Sequence, residues 1–266
     1  MTQIIDPVCI LITGATGGIG GALALEYAAP GKKLILQGRN QARLQALASD
    51  CETRGASVAV KSLDLRDRMA LQQWLAKLCA EGETPDLVFV NAGLNTNTGP
   101  HGEGEPWEEV EALIEVNVRA AMAMVDGLLP VMRKRGQGQL ALVSSLAAWF
   151  GLPETPSYCA SKAALRAYGE SLRGWLAPEG IKVNVITPGY VESSMCEAMP
   201  GPKPFLWTAE RAARKIRAGL ARNKARISFP FPLNLGTWLL AVLPTGFSIW
   251  ILKRLGYGAR HSVGMR

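Results

Sequence analysis

Short apolar runs recur through the first 190 residues, and stretches of helical periodicity separate them. Runs at 8–12, 34–37, 58–65, 87–90, 140–145 and 182–186 are a few residues long and rich in Val, Ile and Leu. Apolar runs of that length read as strands buried on both faces. Helical patterns follow at 22–27 and at 40–54, where Leu44 and Leu47 point inward. The pattern at 67–80 places Leu71, Trp74, Leu75 and Leu78 on one face, and a long helical stretch at 107–135 should break near Pro130. A helix from about 156 to 176 precedes the sixth run. Strand and helix alternate, which predicts an α/β fold: a doubly wound parallel sheet with helices on both faces and its site at the strands' C-terminal edge.

Beyond residue 190 the pattern changes. Residues 194–207 hold prolines and large aromatics and read as a lid. Thr208 caps a helix to about 222, with Ala212, Ile216 and Leu220 inward, and 226–229 reads as the last strand. From Ile227 to Leu252 there is no charge at all, although Lys224, Arg226, Lys253 and Arg254 bracket the run. Pro232 and Pro244 leave too few residues between them to cross a bilayer. The chain therefore divides into residues 1–228, a single α/β domain, and 229–266, a hydrophobic helical extension with basic flanks.

Composition sharpens this only where charge is concerned. The 266 residues are 48% apolar and 19% charged, ample for one large core. No basic n-region or apolar core opens the chain, so no signal peptide is expected. Five cysteines without a Cys-x-x-Cys pair, with only His101 and His261 beside them, argue against a metal site or disulfide framework and fit a reducing cytoplasm. The net charge of +7 hides an asymmetry: residues 1–200 sum to −4 and residues 201–266 to +11. A basic tail on an acidic body points to an anionic partner. An anionic membrane surface met by short interfacial helices is favoured, with Trp238, Phe247 and Trp250 as anchors. A tail packed over the substrate cleft or in a subunit interface comes next. Nucleic acid comes last, because no aromatic residues interleave with the basic ones.

Candidate chemistry lies at the ends of the runs. Thr13-Gly14-Ala15-Thr16-Gly17-Gly18-Ile19-Gly20 joins the first strand to its helix. Gly14 suits a tight turn, Gly18 a close approach to a pyrophosphate, and Gly20 close helix packing, with the helix N-terminus turned to the phosphates. After the second strand Gly38-Arg39 stands where an acidic residue would hold a ribose 2′-OH. A guanidinium pairs instead with a 2′-phosphate, which favours NADP over NAD. Asp64 and Leu65 end the third strand beside an adenine site, and Asn91-Ala92-Gly93 ends the fourth. Ser145 closes the fifth. In the following helix Tyr158 and Lys162 are i and i+4 on one face. An ammonium beside a phenol lowers a pKa otherwise about 10, which would make Tyr158 an acid/base near neutral pH.

Together these residues resemble the single-domain NAD(P)-dependent short-chain dehydrogenase/reductase family, whose motifs occur here in the same order over residues 8–193. The resemblance implies a Rossmann fold and carbonyl–alcohol redox chemistry. It implies Tyr158 as proton donor, Lys162 as its pKa partner and ribose ligand, Ser145 (rather than Ser144) as the group steadying the carbonyl, and Asn117 as holder of a water behind Lys162. The implied cofactor set is Thr13, Gly14, Thr16, Gly18, Ile19, Gly20, Arg39, Asp64, Leu65, Asn91, Ala92, Gly93, Tyr158, Lys162, Pro188, Gly189, Val191 and Ser193. The glycine turn lacks the basic residue that many NADP-preferring members carry, so NADP rests on Gly38 and Arg39. The reading is an NADP-dependent oxidoreductase of a hydrophobic, lipid-like ketone or aldehyde, cytoplasmic, at the inner face of a membrane, and a homodimer or homotetramer. The alternatives are a reductase of a soluble hydrophobic ketone with the tail as lid, and an NADP-binding scaffold without turnover.

Overall fold

Successive residues of the inner strands face opposite helical layers, which is why these strands carry no polar alternation. Ile10 and Ile12 pack with Leu34, Leu36 and Phe89 under one layer, while Leu11, Ile35, Val88 and Val90 pack under the other. The computed structural model describes residues 6–99, 101–199 and 201–257. Its strands are β1 (Cys9–Ile12), β2 (Lys33–Gly38), β3 (Ser57–Ser62), β4 (Leu87–Val90), β5 (Gly138–Val143), β6 (Ile181–Pro188) and β7 (Arg226–Phe229). All pair in parallel, in the order β3-β2-β1-β4-β5-β6-β7. The strand order reverses between β1 and β4, and a crevice opens there at the strands' C-terminal ends.

Helices α1 (Gly18–Tyr27), α2 (Gln41–Glu52) and α8 (Ala209–Ala221) cover one face. Helices α3 (Arg68–Ala80), α5 (Ala121–Arg135) and α6 (Pro156–Leu176) cover the other. Thr208 caps α8 by accepting from Arg211 N, and Ala212, Ile216 and Leu220 are buried on it. The short α7 (Ser194–Ala198) follows β6. After β7 come α9 (Leu233–Val242) and α10 (Thr245–Arg254), each preceded by a proline. Residues 258–266, including His261 and the end of the extension, lie outside the described residues.

Two sequence expectations change. The third and fifth strands stop at Ser62 and Val143, so Asp64, Leu65, Ser144 and Ser145 lie just past the strand ends. The helical stretch at 107–135 does not break at Pro130, which sits inside α5. It departs from α-geometry at Glu115–Ala120, a π-helical segment between α4 (Trp107–Ile114) and α5. One wide turn of this kind accommodates a side chain drawn out of helical register. Its buried polar residue is Asn117, whose amide is held from outside the helix.

Candidate active site

The turn after β1 is fixed by the strand beside it. Gly14 has φ +64°, and a Cβ there would stand 2.8 Å from Ala92 Cα. A side chain at this position is excluded by both backbone conformation and space. Thr13 Oγ1 donates to Phe89 O at 3.1 Å and accepts from Asn91 N at 3.0 Å and Ala92 N at 3.1 Å. Thr13 is buried and does not line the cavity. Its hydroxyl joins the ends of β1 and β4. Asn91 Nδ2 completes the tie by donating to Thr13 O at 2.8 Å.

A cavity of about 880 Å³ runs along this edge. At one end lie Gly14, Thr16, Gly18, Ile19, Gly20, Arg39, Asp64 and Leu65, and at the other Ser145, Tyr158 and Lys162. Asn91, Ala92, Gly93, Pro188, Gly189, Val191 and Ser193 also line it, with Ser193 against Gly18 and Gly93 against Lys162. Gly17 caps α1 without a side-chain bond, so the first N–H groups of that helix keep no side-chain acceptor. Gly18 approaches the chain's own backbone: a Cβ would stand 2.4 Å from Glu192 O, so the loop after β6 closes over the glycine turn. At Gly38 a Cβ would meet Thr16 Oγ1 at 3.2 Å, which leaves an acidic side chain little room. The exposed Arg39 and Arg43 line this end, and Asp64 is held below the usual carboxylate range, first by its hydrogen bond with Arg66. An uncapped helix N-terminus and two guanidinium groups along one elongated cavity fit a phosphorylated dinucleotide.

At the other end Tyr158, Lys162 and Ser145 converge. Lys162 Nζ lies 5.7 Å from the Tyr158 ring centroid and donates to Val143 O at 3.0 Å. Ser144 Oγ is turned to Lys162 O at 2.7 Å, which leaves Ser145 as the hydroxyl bonded to the phenol. Burial pushes the Tyr158 phenol up to about 12, with the Ser145 hydrogen bond acting the other way. Burial likewise lowers Lys162 to about 8. The expected lowering of the phenol by the ammonium does not appear: burial raises the phenol, and Lys162 Nζ donates to the strand carbonyl. At neutral pH the pair stands as a protonated phenol beside an ammonium.

Asn117 is buried and does not line the cavity. Its Oδ1 accepts from Leu94 N at 2.7 Å, and its Nδ2 donates to Leu94 O at 2.9 Å and Ser161 Oγ at 3.0 Å. It lies behind Gly93, where a Cβ would stand 3.3 Å from Oδ1 and 3.2 Å from Lys162 Nζ. Ser193 caps α7, accepting from Cys196 N at 3.1 Å.

Sequence reasoning missed several lining residues. Gln37 is buried, accepts from Gly14 N at 3.1 Å and donates to Leu63 O at 2.7 Å. A glutamine closing an apolar strand was its signal. Arg43, one turn into α2, carried no signal beyond proximity to Arg39. The tail residues Leu233, Leu240, Leu243, Leu252 and Tyr257, which also line the cavity, were legible only as a greasy segment.

A family model described as short chain dehydrogenase matches residues 8–201. The chain belongs to the short chain dehydrogenase family. An uncharacterized oxidoreductase of Myxococcus xanthus (strain DK1622) is 38% identical over 234 residues, covering 88% of this chain and 92% of the relative. An NADP-dependent 3-hydroxy acid dehydrogenase of Salmonella typhi is 32% identical, covering 90% of this chain and 91% of its own length. In fold, this short-chain dehydrogenase matches one from Sphingobium yanoikuyae solved in complex with NADPH, with TM-score 0.76 at 22% identity over 97% of this chain and 98% of that one. A bulky-bulky ketone specific alcohol dehydrogenase from Comamonas testosteroni gives TM-score 0.75 at 19% identity over 98% of each chain. At these identities the two solved structures speak for the fold alone.

Proposed function

We propose that the protein is an NADP-dependent oxidoreductase interconverting a hydrophobic, lipid-like ketone or aldehyde and its alcohol. The observation that carries the reading is one continuous cavity. It joins the glycine turn and Arg39 to Ser145, Tyr158 and Lys162, and continues between the apolar side chains of α9 and α10. The NADP dependence named for the Salmonella relative agrees with the paired Arg39 and Arg43, which would hold a 2′-phosphate. The first turn of α1 would take the pyrophosphate. Bound NADPH would supply the hydride.

The chain's own residues do the rest. Ser145 and Tyr158 orient the substrate's carbonyl oxygen by hydrogen bonds. As negative charge gathers there, Tyr158 gives up its phenolic proton, and the Lys162 ammonium stabilises the phenolate left behind. In the reverse direction the phenolate takes the alcohol proton. Burial makes both interactions stronger than they would be in water. Asn117 positions Ser161, and through it the α6 turn that carries Tyr158. Residues 194–207 act as a lid, and 229–266 form an extension to the 1–228 domain whose α9 and α10 wall the substrate end. The exposed Trp107 on α4 and Trp175 on α6 suit association into a homodimer or homotetramer. No described helix is long and apolar enough to cross a membrane. We include a cytoplasmic location with peripheral contact at the inner face of a membrane.

Deuterium transfer from 4-deuterated NADPH to a series of 2-alkanones of increasing chain length tests this function. The expected result is label on the carbinol carbon, with kcat/KM rising with chain length. Label transfer confined to short, polar carbonyl compounds would remove the lipid-like substrate, and no transfer to any carbonyl would remove the reductase reading.

A further inference from the structure

Helices α9 and α10 present apolar side chains on two faces, and only one of them borders the cavity. Leu240 and Leu243 of α9 and Ile251 and Leu252 of α10 line it. Trp238, Val242, Phe247 and Trp250 do not, and they are between 44% and 59% exposed. Phe247 and Trp250 stack at 5.5 Å, with the Arg254 guanidinium 5.1 Å from the Trp250 ring centroid. A surface helix with one buried face ordinarily turns charged residues outward. Here the charges gather at the ends: Lys253 and Arg254 close α10, and Arg222 and Lys224 precede β7.

The pair is fastened to the body at its far end. Leu240, Leu252 and Tyr257 form a small cluster with Phe150, Leu152 and Tyr190. Tyr257 donates to Pro202 O at 3.0 Å, and its hydroxyl lies 3.3 Å from that of Tyr190. Ser248 Oγ donates to Leu240 O at 2.8 Å and ties the two helices together. No ion pair joins α9 or α10 to the body among the described residues. Each helix has ten residues, about 15 Å, half of the roughly 30 Å hydrocarbon core.

We propose that the outer face of α9 and α10 lies in the headgroup layer of an anionic bilayer, and that a hydrophobic carbonyl compound enters the cavity from the acyl phase through this pair of helices. Its substrate rests on the reductase reading above, and its docking on the surface alone. The exposed aromatic rings belong at an interface that is apolar on one side and wet on the other. The basic end of α10, Lys253 and Arg254, matches an anionic surface. A second copy seated on the same face would bring a second Lys253 and Arg254 to the patch, and like charge works against it.

The test uses the full-length chain and a double variant, Phe247→Glu with Trp250→Glu. Vesicle sedimentation is measured on phosphatidylcholine with and without phosphatidylglycerol, and NADPH binding serves as the folding check. Wild type should sediment with the anionic vesicles and have its tryptophan fluorescence quenched by brominated lipid. The variant should bind about tenfold or more weakly with NADPH affinity unchanged. Failure of wild type to bind, or equal binding by the variant, overturns the docking. So does a fall in wild-type oligomer size on introducing the two glutamates without lipid, which would assign the face to self-association. A long-chain 2-alkanone dissolved in the vesicles tests the entry route: the variant should reduce it about tenfold or more slowly. Equal rates overturn entry through α9 and α10. Absence of turnover by wild type counts against the reductase reading, while the sedimentation still decides the docking.

Discussion

Burial sets the protonation of the candidate catalytic pair, and their protonation sets the pH dependence. Lys162, lowered to about 8, is charged at neutral pH and loses its proton above that value. Below it the ammonium is present to stabilise the phenolate that forms when Tyr158 donates its proton. Above it that support is gone, so reduction should slow. The kcat/KM for NADPH reports groups of the free enzyme and should show an alkaline limb near pH 8. Lys162→Arg keeps its charge across the range, so the limb should vanish even if the maximum rate falls. An unchanged limb in that variant would assign the titration to another group. The i, i+4 spacing of Tyr158 and Lys162 and the strand-end Ser145 were legible, because a helix repeat and a strand end are local facts. The state of the phenol was not. It depends first on desolvation, which is supplied by parts of the chain remote in sequence.

The same division holds for elements. Apolar runs announced the first six strands, the stretch after the Thr208 helix read as the seventh, and the Thr208 cap placed its helix start closely. The irregularity between α4 and α5 was misplaced because proline is the strongest helix breaker that sequence displays openly. The actual cause is a tertiary contact, the Asn117 amide held by Leu94 and Ser161. Asn117→Ala would leave the Leu94 N–H and C=O without their partner, which costs about 1–3 kcal/mol. For a chain of this size that corresponds to a fall in Tm of roughly 2–4 °C per kcal/mol. Thermal unfolding should show this loss together with weaker turnover. A large loss of turnover at unchanged Tm would instead make Asn117 a member of the proton path. Thr13 carries a related lesson, since its hydroxyl joins β1 to β4 through contacts that its motif position alone does not display.

At the scale of the whole molecule, the sheet edge and the C-terminal helices enclose one space from opposite sides. The charge asymmetry and the uncharged run from Ile227 to Leu252 were visible in the sequence. That the run splits into α9 and α10 followed from its prolines. That one face of the pair would wall the cavity did not, because cavity walls are shared among segments that only the fold brings together. The resulting shape puts a polar, cation-lined end for a dinucleotide beside an apolar end for a carbonyl compound, with Tyr158 between them. The most direct test of that arrangement is NADPH oxidation by wild type and by Tyr158→Phe, with NADPH binding measured on both. Turnover of a hydrophobic ketone should fall by about 10²–10⁴-fold in the variant while the NADPH dissociation constant stays within about threefold. Turnover preserved in Tyr158→Phe would contradict the account, because the proton would then come from elsewhere.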